Sequence, residues 1–104
     1  MSEIKNITEQ ASSGLFSSYN DAIVIFFKEL CPHCKNMEKA LMKFGDKSPE
    51  TELYSVDSEV RGELMAELGF ERVPTLVFIR NGEVANIHSG LMNPRELKAL
   101  HASL

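Results

Sequence analysis

The longest apolar run in the chain, Ala22 to Phe27, is mostly β-branched or aromatic, which suits a strand covered on both faces at the middle of a sheet. A shorter strand is expected at Ile4 to Thr8. Between them Ala11, Leu15, Phe16 and Tyr19 recur at helical spacing until Asn20-Asp21 breaks the pattern. Further on, Cys34, Met37, Leu41 and Phe44 form an apolar stripe with Lys and Glu between them, predicting a helix that ends near Gly45. Thr51 to Val56 alternates in part as a strand. Val60, Leu64, Met65 and Leu68 make one helical face closed by Gly69. Thr75 to Ile79 and Glu83 to His88 flank Asn81-Gly82, a pair that favours a two-residue hairpin because both central positions take positive φ. Asn93 as N-cap, Pro94 at the first helical position and Glu96 completing a capping box announce a last helix, with Leu97, Leu100 and Leu104 buried. Strands alternating with helices, then a hairpin and a helix, imply one mixed five-stranded sheet flanked by four helices, an α/β architecture.

Composition narrows the function. A chain of 104 residues forms a single domain, 1–104, and no repeat or linker divides it. Eleven basic against fifteen acidic residues, a net charge of −4 with no basic run, leaves no electrostatic footprint for nucleic acid or an anionic membrane. No stretch approaches the roughly 18 apolar residues of a membrane span, and the polar N-terminus lacks a secretory signal, so the chain reads as cytoplasmic.

Both cysteines, Cys31 and Cys34, stand where the central strand hands over to the following helix, a place where active sites of open sheets gather. A thiol at a helix N-terminus meets unpaired N–H groups that favour the thiolate, the form that attacks disulfides. Pro32 fits the first turn because its missing N–H costs nothing there. Cys31 then faces outward as nucleophile. Cys34, one turn further in, is placed to attack the resulting mixed disulfide and release the product. A purely structural disulfide would close too short a loop to restrain the unfolded chain much. A structural zinc ion needs four ligands, and His33, His88 and His101 offer no close histidine pair beside the two thiols. Two ordinary buried cysteines are the remaining alternative. Met37, Met65, Phe26 and Phe27 read as core, and His88 and His101 as surface residues.

These features, with Val73-Pro74-Thr75 opening the fourth strand about forty residues after the cysteines, Phe78 to Val84 in the hairpin and Gly90 before the last helix, resemble the thioredoxin family along essentially the whole chain. The resemblance implies the thioredoxin fold, Cys31 as nucleophile, Cys34 as resolving cysteine, Pro74 as a cis-proline beside them, and Val73 and Gly90 as backbone contacts for a substrate strand. The chain departs from the family pattern in four places. Leu30 replaces the tryptophan before the motif, as a docking residue of different shape. Pro32-His33 stands between the cysteines, as in the bacterial periplasmic disulfide oxidases. Ile25 and Leu53 occupy the places of a buried acid and its lysine partner, and Lys39 that of a helix-kinking proline. His33 could stabilise a neighbouring thiolate and make the disulfide easier to reduce.

The resemblance therefore implies a thiol–disulfide oxidoreductase, a dithiol reductant of protein disulfides serving electron transport and cell redox homeostasis. It implies a monomer without metal or cofactor, recycled by a disulfide reductase. Two other readings stand beside it: a disulfide oxidase or isomerase, prompted by Pro32-His33, and a redox-sensitive binding module using the surface of Leu30, Val73 and Gly90.

Overall fold

The computed structural model describes residues 3–104. Five strands, β1 (Ile4–Asn6), β2 (Asp21–Phe27), β3 (Glu52–Asp57), β4 (Thr75–Arg80) and β5 (Glu83–Ser89), form one sheet in the order β1-β3-β2-β4-β5. The apolar run is indeed the central strand: β2 lies parallel to β3 and antiparallel to β4. Period-two alternation splits it between two cores. Ala22, Val24 and Phe26 join the core that holds Phe16 of α1 (Ser13–Phe16) and Leu64 and Met65 of α3 (Gly62–Leu68). Ile23 and Ile25 face the other core, under Met37, Leu41 and Phe44 of α2 (Pro32–Lys47) and Leu97 of α4 (Pro94–Ala102).

Helix α4 begins as its sequence dictates, with the Asn93 side chain accepting from the Glu96 N–H and the Glu96 carboxylate accepting from the Asn93 N–H. Gly69 closes α3 in the left-handed region at φ 89°. The Asn81-Gly82 turn has φ 54° and 78°, and its two N–H groups dock on the carbonyls of Asn20 and Tyr19, each at 2.7 Å. An ideal Cβ on Gly82 would lie 2.5 Å from the Ser17 carbonyl oxygen, whereas one on Gly69 meets nothing within 4 Å. Gly69→Ala should therefore cost only the left-handed penalty, about 1 kcal/mol, and Gly82→Ala at least about 2 kcal/mol, because turn and loop must also part. Urea unfolding of the two variants checks the order.

Several boundaries differ from expectation. The first strand stops at Asn6, and Ile7 is buried in the turn that follows. The first helix spans four residues; Ala11 and Tyr19 reach the core from the segments around it. The second helix runs through Gly45 to Lys47, because Gly45 is buried within it and does not cap it. Val60 precedes α3 in a turn built on the Asp57 carbonyl and stays 61% exposed. His101 is no surface residue. Its Nε2 lies 2.8 Å from the Asp21 carboxylate and 3.2 Å from an Arg80 guanidinium nitrogen, and its ring meets Phe44 edge-on. Leu97 is fully buried as expected, whereas Leu100 and Leu104 are only half-buried against the same core, and Phe27, at the end of β2, is half-buried and belongs to neither core.

Candidate active site

The topology delivers four chain segments to one end of the sheet. There β2 ends and leads into the Cys31 loop, β3 ends at Asp57, β4 begins after Pro74, and β5 runs out into Gly90. The Ser58 N–H closes β3 against β2 by donating to the Phe27 carbonyl at 2.8 Å.

Cys31 is the N-cap of α2, in extended conformation at φ −127°, and Pro32 takes the first helical position. The Cys31 Sγ accepts the backbone N–H of Cys34 at 3.2 Å, so the sulfur occupies the place a serine or aspartate oxygen holds at other helix starts. Negative charge developing on that sulfur meets an aimed donor and the positive end of the helix dipole. Cys31 is half-buried, and Cys34, facing inward on the same turn, is 1% exposed. Burial first, then the hydrogen bond with Cys31, pushes the Cys34 thiol up to about 11, while a hydrogen bond with the Lys28 backbone pulls the other way. The two sulfurs are thus chemically unequal: one is accessible and capped by a donor, the other is dry and holds its proton.

Around them, the Val73–Pro74 peptide bond is cis, as the resemblance implies, and Pro74 is buried. The Thr75 hydroxyl fixes this corner by donating to the Arg72 carbonyl at 2.6 Å, and Ser89 Oγ lies 2.8 Å from it. The Gly90 N–H donates to the Pro74 carbonyl at 2.9 Å, bringing Gly90, exposed and at φ 102°, beside the proline. Val73 is half-buried, and Leu30 stands 98% exposed next to Cys31. His33 is exposed and makes no hydrogen bond among the described residues, with Cys31 or any other group. Ile25 is fully buried on the sheet face that α2 covers, paired with Ser55 and Leu76, and Leu53 lies two residues from Ser55 in the same core. No carboxylate enters the sheet behind the cysteines at that point.

Sequence reasoning overlooked two residues here. Leu91, 51% exposed, follows Gly90 and adds apolar surface. Glu38 stands one helical turn after Cys34, and its negative charge bears on that thiol. The spacing of four along an apolar stripe was the available signal. Among the described residues no group of three or more His, Cys, Asp and Glu side chains is arranged to hold a metal ion, and no helix is long and apolar enough to cross a membrane.

Comparison with known proteins agrees with this geometry. The Thioredoxin family model matches residues 4–103. A thioredoxin from Mycoplasmoides gallisepticum is 26% identical over 98 residues, covering 93% of this chain and 98% of its own. Thioredoxin-1 of Saccharomyces cerevisiae is 29% identical over 77 residues, 73% of each chain. The solution structure of reduced desulfothioredoxin from Desulfovibrio vulgaris Hildenborough superposes with a TM-score of 0.91 at 63% identity, covering all of both chains.

Proposed function

The chain belongs to the thioredoxin family and is a thiol–disulfide oxidoreductase, a dithiol reductant, and from that premise we propose how its residues divide the reaction. Cys31 attacks a protein disulfide, Cys34 resolves the mixed disulfide, and Pro32 holds the first turn of α2 in place. The observation that carries this division is the inequality of the sulfurs: Cys31 half-exposed and accepting an N–H, Cys34 buried with its thiol pushed up to about 11. Pro74, Val73 and Gly90 form the ledge against which an extended substrate segment lies, and Leu30 supplies the apolar contact at its edge. An open edge with Leu30 and Leu91 exposed beside it fits a polypeptide better than a small molecule enclosed in a cleft.

The protein acts as a monomer in the cytoplasm, with neither nucleic acid nor a membrane as partner, within electron transport to oxidised proteins. A disulfide reductase returns Cys31 and Cys34 to the dithiol. The net charge of −4 and the absence of a basic run support the exclusion of nucleic acid and an anionic membrane as partners.

Redox titration against glutathione tests the direction of flow. A midpoint at the reducing end, about −270 mV, is the expected result, and one at the strongly oxidising end, about −120 mV, would establish the oxidase reading that Pro32-His33 prompts. His33→Gly should make the couple more reducing by a small margin, because an exposed N–H donor beside a thiolate at a helix terminus is lost. An unchanged potential would leave His33 without a redox role.

A further inference from the structure

We propose that Glu38 accepts the Cys34 proton during resolution of the mixed disulfide. The inference rests on the assignment of Cys34 as the resolving thiol. Resolution needs a base, since Cys34 is fully inside the protein and an attacking sulfur must first lose its proton. The sheet beneath supplies none. The α2-facing positions of β2 and β3 are Ile23, Ile25, Leu53 and Ser55, three apolar groups and a hydroxyl.

Glu38 fills the gap from the helix itself. Positions 34 and 38 of α2 are neighbours on one flank, about 5–6 Å apart at Cβ, and helical side chains lean toward the N-terminus, which carries the Glu38 carboxylate back over Cys34. The charge of Glu38 acts on Cys34. Its carboxylate is half-buried and makes no hydrogen bond or ion pair among the described residues, so its lone pairs are available to a proton. Burial raises its own pKa, while Lys35 one turn earlier opposes the rise. The segments that meet at this end also carry Lys28 and Glu29 after β2, His33 in the first turn of α2, Glu59 after β3 and Arg72 before Pro74, all exposed, and Asp57 at the end of β3, whose carboxylate already accepts the Glu59 N–H at 2.9 Å. From α4 and the segment before it, α2 receives the apolar Met92, Leu97 and Leu100, with Glu96 beside Lys39 and Lys43 and Arg95, Lys98 and His101 beside Lys43, Phe44 and Lys47 further along the helix.

The step balances without an outside reagent. Starting from Cys31 joined to a substrate sulfur, the Cys34 proton passes to the Glu38 carboxylate, directly or through a water. The Cys34 sulfur bonds to the Cys31 sulfur, and the bond from Cys31 to the substrate sulfur breaks. The substrate leaves as a thiolate that takes a proton from Glu38 or solvent; Cys31 and Cys34 are left oxidised and the substrate disulfide fully reduced.

A neighbouring negative charge and a proton acceptor predict opposite effects of the same substitution. As a mere charge, Glu38 hinders ionisation of Cys34, and Glu38→Gln would speed resolution. As the acceptor, its loss slows resolution even though the thiol becomes intrinsically more acidic. Stopped-flow reaction of the reduced protein with Ellman's reagent separates the steps, because the first thionitrobenzoate released reports attack by Cys31 and the second reports resolution by Cys34. In Glu38→Gln the first phase should match wild type, which also shows the fold intact. The second should slow by at least about tenfold and lose its rise with pH across the Glu38 titration. Glu38→Asp should recover part of the rate. A second phase that is unchanged or faster in Glu38→Gln overturns the proposal while leaving the cysteine roles standing. Release of both equivalents by Cys34→Ser would instead overturn the cysteine roles, and the proposal with them.

Discussion

Cys31→Ser is expected to reduce insulin disulfides no faster than the dithiothreitol that feeds the assay, whereas Cys34→Ser should lose turnover yet accumulate a covalent adduct with its substrate. The asymmetry follows from the environments of the two sulfurs. A serine hydroxyl neither attacks a disulfide at neutral pH nor forms one, so without Cys31 the accessible nucleophile is gone. Cys34 cannot replace it: it is 1% exposed, and burial, the largest cause of its raised pKa, still disfavours its thiolate when Cys31 is gone. Cys34→Ser leaves the capping geometry almost untouched, because the N–H that Cys31 accepts belongs to the backbone of residue 34. Attack therefore proceeds, and with no second sulfur the mixed disulfide persists. Mass spectrometry of unreduced mixtures reads the outcome as a mass equal to the sum of both partners. An adduct on Cys31→Ser and none on Cys34→Ser would reverse the assignment.

How much of this was legible in the sequence depends on how local the cause was. The capping box of Asn93, Pro94 and Glu96, the Asn81-Gly82 turn and the Gly69 C-cap are short-range devices whose residue types name their geometry, and all appear as expected. The central placement of β2 followed from a run too apolar to face water on either side. Where tertiary packing decides, pattern reading went astray. Gly45 looks like a helix stop but is buried within α2, and Val60 keeps the helical spacing yet lies in the turn before α3. His101 meets Asp21 across eighty positions of chain, a pairing that no local pattern encodes. At the active site the cysteines were legible from spacing and placement. Their inequality was legible in direction, because Cys34 heads the apolar stripe of α2 and Cys31 precedes it, but not in extent, which comes from how deeply α2 sinks Cys34 toward the sheet.

Ile25→Asp should destabilise the reduced protein by about 3 kcal/mol, as expected for a polar group forced into an apolar site. Ile25 is fully buried in the core with Met37, Leu41, Leu53 and Leu76, and none of these side chains can hydrogen-bond a carboxyl firmly. Desolvation would raise the folded-state pKa of the new acid above its unfolded value near 3.9. The fold then holds the proton more tightly than the unfolded chain does, so the penalty is smallest in acid. It widens as pH rises from the unfolded value through the folded one, and is complete above both. Urea unfolding at a series of pH values should show the gap to wild type opening in that direction; a constant gap would mean that the carboxyl escapes to solvent. Stability lost here should return as rate, because above its pKa the new carboxylate offers a second acceptor for the Cys34 proton from beneath the helix. The second phase with Ellman's reagent should quicken, and Glu38→Gln should then cost less in the Ile25→Asp background than in wild type, since either base can serve. Equal costs in the two backgrounds would mean that a carboxylate at position 25 never reaches the proton of Cys34. In that case Ile25 is there for packing alone.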